Sequence, residues 1–183
     1  VKPGMTELEA FLVIQQASAA AAGEQVMVYG DFASGPRVEA EHGGPPTGRT
    51  IERGELFLLD YSVVVRGYRG DFTNTFAVGA PPSAGQRDLF AACLEALAAG
   101  EAALKPGVPA KSIDQAVRDT FAARGLEHAF TSHSGHGLGL SHPEPPYFVA
   151  ESDETVVAGD VVAIEPSLFV PGVGGLRIER NYL

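Results

Sequence analysis

Leu56-Phe57-Leu58-Leu59-Asp60-Tyr61-Ser62-Val63-Val64-Val65 is followed by Arg66-Gly67-Tyr68-Arg69-Gly70 and then by Asp71-Phe72-Thr73-Asn74-Thr75-Phe76-Ala77-Val78. Two β-branched and aromatic runs around a glycine-bearing turn predict a β-hairpin. Each arm carries an aspartate, a residue poorly suited to strand interiors, so each needs a partner there. With the turn near residues 65 and 66, Asp60 and Asp71 face each other on one side of the hairpin, Cβ atoms roughly 5 Å apart. Carboxylates that close repel unless a cation neutralises them, and a divalent metal is such a cation.

Working outward, Met5–Ala22 has apolar residues at helical spacing behind Pro3-Gly4, with Thr6 as a candidate N-cap. Val26–Phe32 reads as a strand feeding a long loop over Ala33–Arg49, rich in glycine, proline and polar residues. Ala84–Leu104 and Ala110–Arg124 are alanine-rich helices joined by Lys105-Pro106-Gly107, the second with a capping spacing at Ser112 and Gln115. Asp160–Val170 and Gly174–Leu183 read as closing strands around Pro171-Gly172. Strands, then helices, then strands predict an α+β fold, helices covering one face of a mostly antiparallel sheet.

Glu165, after Val161-Val162-Ala163-Ile164, and Glu179, after Leu176-Arg177-Ile178, repeat the pattern of an acid in an apolar strand. Arg66, Arg69 and Arg177 could pair with one or two of these four acids but not with all of them. Thr131–Pro146 holds His133, His136 and His142 among glycines at 135, 137 and 139, which allow close backbone approach. His133 and His128 read as locally hydrogen-bonded loop residues, and a zinc site made of His133, His136 and His142 alone lacks helical i, i+4 placement.

Composition sets the outer limits. The 183 residues carry 13 Lys and Arg against 23 Asp and Glu, a net charge of −10 that repels polyanions and argues against a nucleic-acid partner. Apolar runs such as Leu56–Leu59 fall far short of the roughly 20 residues that span a bilayer, so no membrane partner is expected. The start of the chain does not read as a signal peptide, and a cytoplasmic location is expected. Cys93 is the only cysteine, which excludes an intrachain disulfide and a cysteine-only zinc site.

The ordered set of Asp60, Asp71, Gly135-His136-Gly137-Leu138-Gly139, Ile164-Glu165-Pro166 and Arg177-Ile178-Glu179 resembles the pita-bread metallopeptidase family, which includes methionine aminopeptidase, prolidase and aminopeptidase P. The resemblance runs from Lys2-Pro3-Gly4-Met5-Thr6-Glu7 to the last strand. It implies a curved, mostly antiparallel sheet covered by helices, with residues 1–183 forming the catalytic domain, truncated at one or both ends and without the family's N-terminal domain. It also implies two divalent ions: Asp60 on one, His136 and Glu165 on the other, Asp71 and Glu179 bridging. Manganese is the first expectation, with cobalt, zinc or iron acceptable to the same donors.

Glu144-Pro145-Pro146-Tyr147 and Gly175-Leu176-Arg177-Ile178-Glu179 are similar to the prolidase and aminopeptidase P branch. Ala33-Ser34-Gly35-Pro36 followed by His42 resembles that branch's substrate-binding loop, which implies that His42 contacts the substrate near the scissile bond. The implied reaction is hydrolysis of Xaa-Pro bonds in short peptides by a hydroxide shared between the ions. Glu165 is then the general acid/base, and His42 and His142 stabilise the oxyanion. Arg177 either binds a substrate carboxylate or orients Glu179. Two departures stand out: His142 lies one position early and is followed by Pro143, and Arg180 replaces the usual Asp. Methionine aminopeptidase is the rival enzyme reading, and a non-catalytic pita-bread module binding peptides or partner proteins is the rival of another class. The full-length protein is expected to be a homodimer.

Overall fold

The computed structural model describes residues 1–183, apart from the side chain of Glu41. Helix α1 (Glu7–Ala22) starts at Thr6, whose hydroxyl accepts from Glu9 N while the Glu9 carboxylate accepts from Thr6 N, a reciprocal capping box. Strand β1 (Met27–Ser34) follows, then a short helix α2 (Pro36–Glu41) inside the segment expected to be loop. Pro36 at the first helical position favours that turn of helix, a signal hidden by the surrounding glycines and prolines. Next come β2 (Leu56–Val65), β3 (Tyr68–Arg69) and β4 (Phe72–Ala77). Strand β2 pairs antiparallel with β1, β3 and β4 in one four-stranded sheet.

The register of this hairpin differs from the expected one. Arg66 and Gly67 both have positive φ, as a two-residue type I′ turn requires, so Val65 pairs with Tyr68 and Asp60 with Thr73. Asp71, two residues before Thr73, is therefore the diagonal neighbour of Asp60 rather than its direct opposite. Because side chains alternate, both acids still project to the same face.

Helix α3 (Ala84–Ala103) opens with a capping box from Ser83 and Gln86. Helix α4 (Ala110–Ala123) opens at Pro109 with no side-chain cap. Ser112 donates to the Pro109 carbonyl at 2.6 Å instead of capping the helix, because it lies inside it. The two helices bury Leu89, Cys93, Ala96, Leu97, Ile113, Val117 and Phe121 against Phe148, Ile164, Leu168 and Leu176. Each large side chain removed from water there contributes about 1.5–3 kcal/mol. A second cluster, Ala10, Phe32, Ile51, Phe57 and Leu59, attaches α1 to the first sheet.

The remaining strands are β5 (Gly135–Gly137), β6 (Glu144–Phe148), β7 (Val162–Ile164), β8 (Ser167–Val170), β9 (Gly174–Arg177) and β10 (Arg180–Tyr182). The second sheet runs β10-β7-β5-β6, and β8 pairs with β9. The two closing strands read from the sequence are thus each broken, one at Glu165-Pro166 and the other at Ile178-Glu179. A mid-strand proline donates no ladder hydrogen bond, and the breaks let β7 and β10 join one sheet while β8 and β9 join each other. Thr75 ties β9 to β4: its hydroxyl donates to the Arg177 carbonyl and accepts from Arg177 N. Among the described residues no helix is long and apolar enough to cross a membrane.

Candidate active site

The breaks in the strands are where the chemistry collects. Asp60 comes from the middle of β2, Asp71 from the gap between β3 and β4, Glu165 from the end of β7 and Glu179 from the gap between β9 and β10. His136 is the centre of β5. Gly135 makes its approach possible, since a Cβ there would lie 2.0 Å from the Ala163 carbonyl oxygen of β7. His136 Nε2 consequently sits 3.0 Å from Glu165 Oε1 and 3.4 Å from Asp71 Oδ2. Its Nδ1 is 2.9 Å from the Gly137 carbonyl, which makes Nδ1 the protonated nitrogen and leaves the Nε2 lone pair facing the carboxylates.

Potential ligand atoms of Asp71, His136 and His142 lie within 4.8 Å of one another, and so do those of Asp60, Asp71 and Glu179. Asp71 belongs to both groups, which suits a bridging carboxylate. Asp71 Oδ1, Glu165 Oε1 and Glu179 Oε1 are buried without a hydrogen-bond partner. Orphaned buried oxygens of this kind are costly, and divalent cations satisfy them directly. An imidazole lone pair together with carboxylate oxygens is a donor set suited to manganese, cobalt, zinc or iron, so the residues present fit such ions.

The charges bear the mark of this crowding. Burial, reinforced by Asp71, Glu165 and Asp60, pushes the Glu179 carboxyl up to about 9, against one hydrogen bond from Thr73 Oγ1 at 2.8 Å. Burial also pushes Asp60 up to about 6, although Arg177 pulls it down. Burial acts the same way on Glu165, but the neighbouring His136 and the Arg177 charge outweigh it and hold this carboxyl below its ordinary value. Burial works against a charged His136, yet the Glu165 contact prevails and its proton affinity is raised.

Arg177 pairs with Asp60, with Glu165 across 3.7 Å and with Asp31 across 3.6 Å. The carboxylate it orients is therefore Asp60 rather than Glu179. His142, despite its one-residue displacement, reaches the site: a register shift between β5 and β6 at His136 and Gly137 brings its Nε2 to 2.7 Å from Asp71 Oδ2. His42 ends α2 with positive φ, stacks on Phe169 at 4.1 Å and has Nδ1 3.2 Å from Thr131 Oγ1. Arg180 faces away, toward Glu101 at 3.5 Å. A cavity of about 380 Å³ opens beside His133 and His136, lined by Pro143, Tyr147 and Val149 and by the polar residues Glu151, Ser152, Asp153 and Glu154.

The model of metallopeptidase family M24 matches residues 1–183. The chain belongs to this family. Among curated relatives of this M24 chain, the uncharacterized peptidase YqhT of Bacillus subtilis is 34% identical over 186 residues, covering 99% of this chain and 51% of that protein. An Xaa-Pro dipeptidase of Pyrococcus horikoshii is 38% identical over 153 residues, covering 83% and 43%. Among solved structures, prolidase from Pyrococcus furiosus superposes with a TM-score of 0.93 at 31% identity, covering 100% of this chain and 54% of that one. X-Pro aminopeptidase from Thermotoga maritima gives 0.92 at 28% identity, covering 99% and 50%. The M24 chain spans about half the length of the curated relatives it matches. Its architecture is the pita-bread fold.

Two residues at the site of this M24 chain escaped the sequence reading. His133, beyond any local hydrogen bonding in its loop, has Nδ1 3.5 Å from Glu165 Oε1, and burial lowers its proton affinity. Asp31 lies opposite Asp60 in β1. An acid inside the apolar strand Val26–Phe32 carries the same signal as the other four acids.

Proposed function

We propose that this chain carries the catalytic site of a metallopeptidase that hydrolyses Xaa-Pro bonds in short peptides, with Asp60, Asp71, His136, Glu165 and Glu179 holding two divalent ions. One observation carries the reading: ligand atoms of Asp60, Asp71 and Glu179 gather in one group and those of Asp71, His136 and His142 in a second, Glu165 stands 3.0 Å from His136 outside both, and three carboxylate oxygens are left unpaired. When bound, such ions polarise the scissile carbonyl and generate a nucleophile from water at neutral pH.

The chain's own residues do the rest. Glu165, kept ionised by His136 and Arg177, takes up a proton from water and returns it to the leaving amine. His142, anchored by Asp71, and His42, held against Phe169 and Thr131, act as donors to the developing oxyanion. Arg177 holds Asp60 in place by charge-assisted hydrogen bonding. Pro143, Tyr147 and Val149 in the cavity beside His133 offer apolar contact to a prolyl ring, next to the polar stretch Glu151, Ser152, Asp153 and Glu154. The Xaa-Pro names of the relatives support this reading over methionine removal.

The test is hydrolysis of Xaa-Pro dipeptides and tripeptides by metal-stripped protein resupplied with manganese, cobalt or zinc, with a Met-Ala tripeptide alongside. Cleavage of the Xaa-Pro peptides that disappears in Asp71→Ala is expected. No cleavage with any metal, or preference for the Met-Ala peptide, overturns the proposal.

A further inference from the structure

Asp31 is outside both metal-capable groups, yet it touches two parts of the site at once. It faces Asp60 directly across the β1–β2 ladder. Its Oδ2 is 3.6 Å from Arg177 Nη1, the same nitrogen that bonds Asp60. Its Oδ1 accepts from Gly44 N at 2.9 Å, and Phe32 N donates to Gly44 O at 2.8 Å, so the segment following His42 is strapped to β1. The fit is close: a Cβ at Gly43, where φ is +154°, would lie 2.2 Å from Asp31 Oδ2.

We propose that Asp31 is a positioning residue that shares Arg177 with Asp60 and anchors the His42–Gly44 segment beside the site. Arg177 already meets Asp60 and, across 3.7 Å, Glu165. Asp31 is a third carboxylate on the same guanidinium and makes the cluster more negative by one charge, so Asp60 is oriented without being neutralised. The inference rests on the metallopeptidase reading, and its test separates the two.

Asp31→Asn retains the size of the side chain and the Oδ1 acceptor for Gly44 while removing the charge. Metal-stripped protein is titrated with Mn²⁺ alone, by calorimetry, for the wild type and Asp31→Asn. The same pair is then compared in an Arg177→Gln background, with Arg177→Met as a second background should the first fold poorly. Asp31→Asn is expected to weaken Mn²⁺ binding about tenfold when Arg177 is present and less than about twofold when it is absent. In Xaa-Pro hydrolysis at saturating metal, Asp31→Asn leaves KM within about twofold, whereas Asp31→Ala, which also releases Gly44, raises KM about fivefold. Equal Mn²⁺ affinity in wild type and Asp31→Asn overturns the inference, and so does equal weakening in both Arg177 backgrounds. A wild type that binds none of Mn²⁺, Co²⁺ and Zn²⁺ overturns the metallopeptidase reading as well.

Discussion

Glu7 and Glu179 are both buried carboxylates, and they are treated in opposite ways. Glu7, at the start of α1, has its oxygens saturated: Ser34 N and Ser34 Oγ donate at 2.8 Å each, Thr47 Oγ1 donates at 2.6 Å, and Arg37 pairs with it. Glu179 receives one hydrogen bond, from Thr73, and its other oxygen is bare. Three further acids surround Glu179, whereas an arginine attends Glu7. A buried carboxylate that holds a fold together is fully paired by the fold. One that is left bare among like charges, as Glu179 is, has the chemistry of a cation ligand.

Substitution should separate the two regions most sharply. Asp71→Ala, on the unsaturated side, is expected to reduce Xaa-Pro hydrolysis by at least about a thousandfold while the metal-free protein unfolds no earlier than wild type. Glu7→Ala should do the reverse, costing about 3–5 kcal/mol of stability because Arg37 and the Ser34 and Thr47 donors lose their acceptor. Chemical denaturation and steady-state assays on both variants check this pair. The contrast breaks if Glu7→Ala abolishes metal binding in protein that remains folded.

Metal addition is the next largest lever. Divalent metal at a hundred times its Kd should stabilise wild type by about 2.7 kcal/mol, a rise in Tm of roughly 5–10 °C for a domain of this size. Conservative Glu7→Gln should keep that rise, and Glu179→Gln should lose most of it. Thermal scans with and without manganese read the difference.

The pH response of metal-free protein sharpens the same comparison. Glu179 and Asp60 are pushed up to about 9 and about 6 in the fold, above ordinary carboxylate values, so the folded state holds protons that the unfolded chain has already released. Their contribution to stability is therefore greatest below the unfolded values and is lost as pH rises through about 6 and then about 9. Urea midpoints in the presence of a chelator should fall between pH 6 and pH 9. With metal bound the trend should weaken or reverse, since protons then compete with the ions. A chelated midpoint that climbs over that range would contradict this account. The smallest expected effect is at Thr73→Val, which removes the one hydrogen bond to Glu179 and should weaken metal binding only a few-fold, or about 1 kcal/mol.

Much of this was legible along the chain because local chemistry is written locally. The helices over residues 84–103 and 110–123, the hairpin and the misplaced acids at 60, 71, 165 and 179 all follow from periodicity and from the cost of placing charge in an apolar strand. The structure departs from the local pattern where distant segments decide. Ser112 has the spacing of a cap, but Pro109 and its preceding loop set where the helix begins. Asp31 and His133 looked ordinary because their partners are far away in sequence: Asp60 and Arg177 for one, Glu165 for the other.

The sequence by itself determined which side chains the site would draw on, since acids in apolar strands and a histidine flanked by glycines are unstable without partners wherever the chain goes. Tertiary structure alone decided who those partners are. The two-residue turn at Arg66 and Gly67 made Asp71 a diagonal neighbour of Asp60, the bulge after His136 brought His142 onto Asp71, and the packing of β9 against β4 sent Arg177 to Asp60 and Asp31. Pairing energies depend on distances of a few ångströms between residues up to 146 positions apart, and no local pattern encodes those distances.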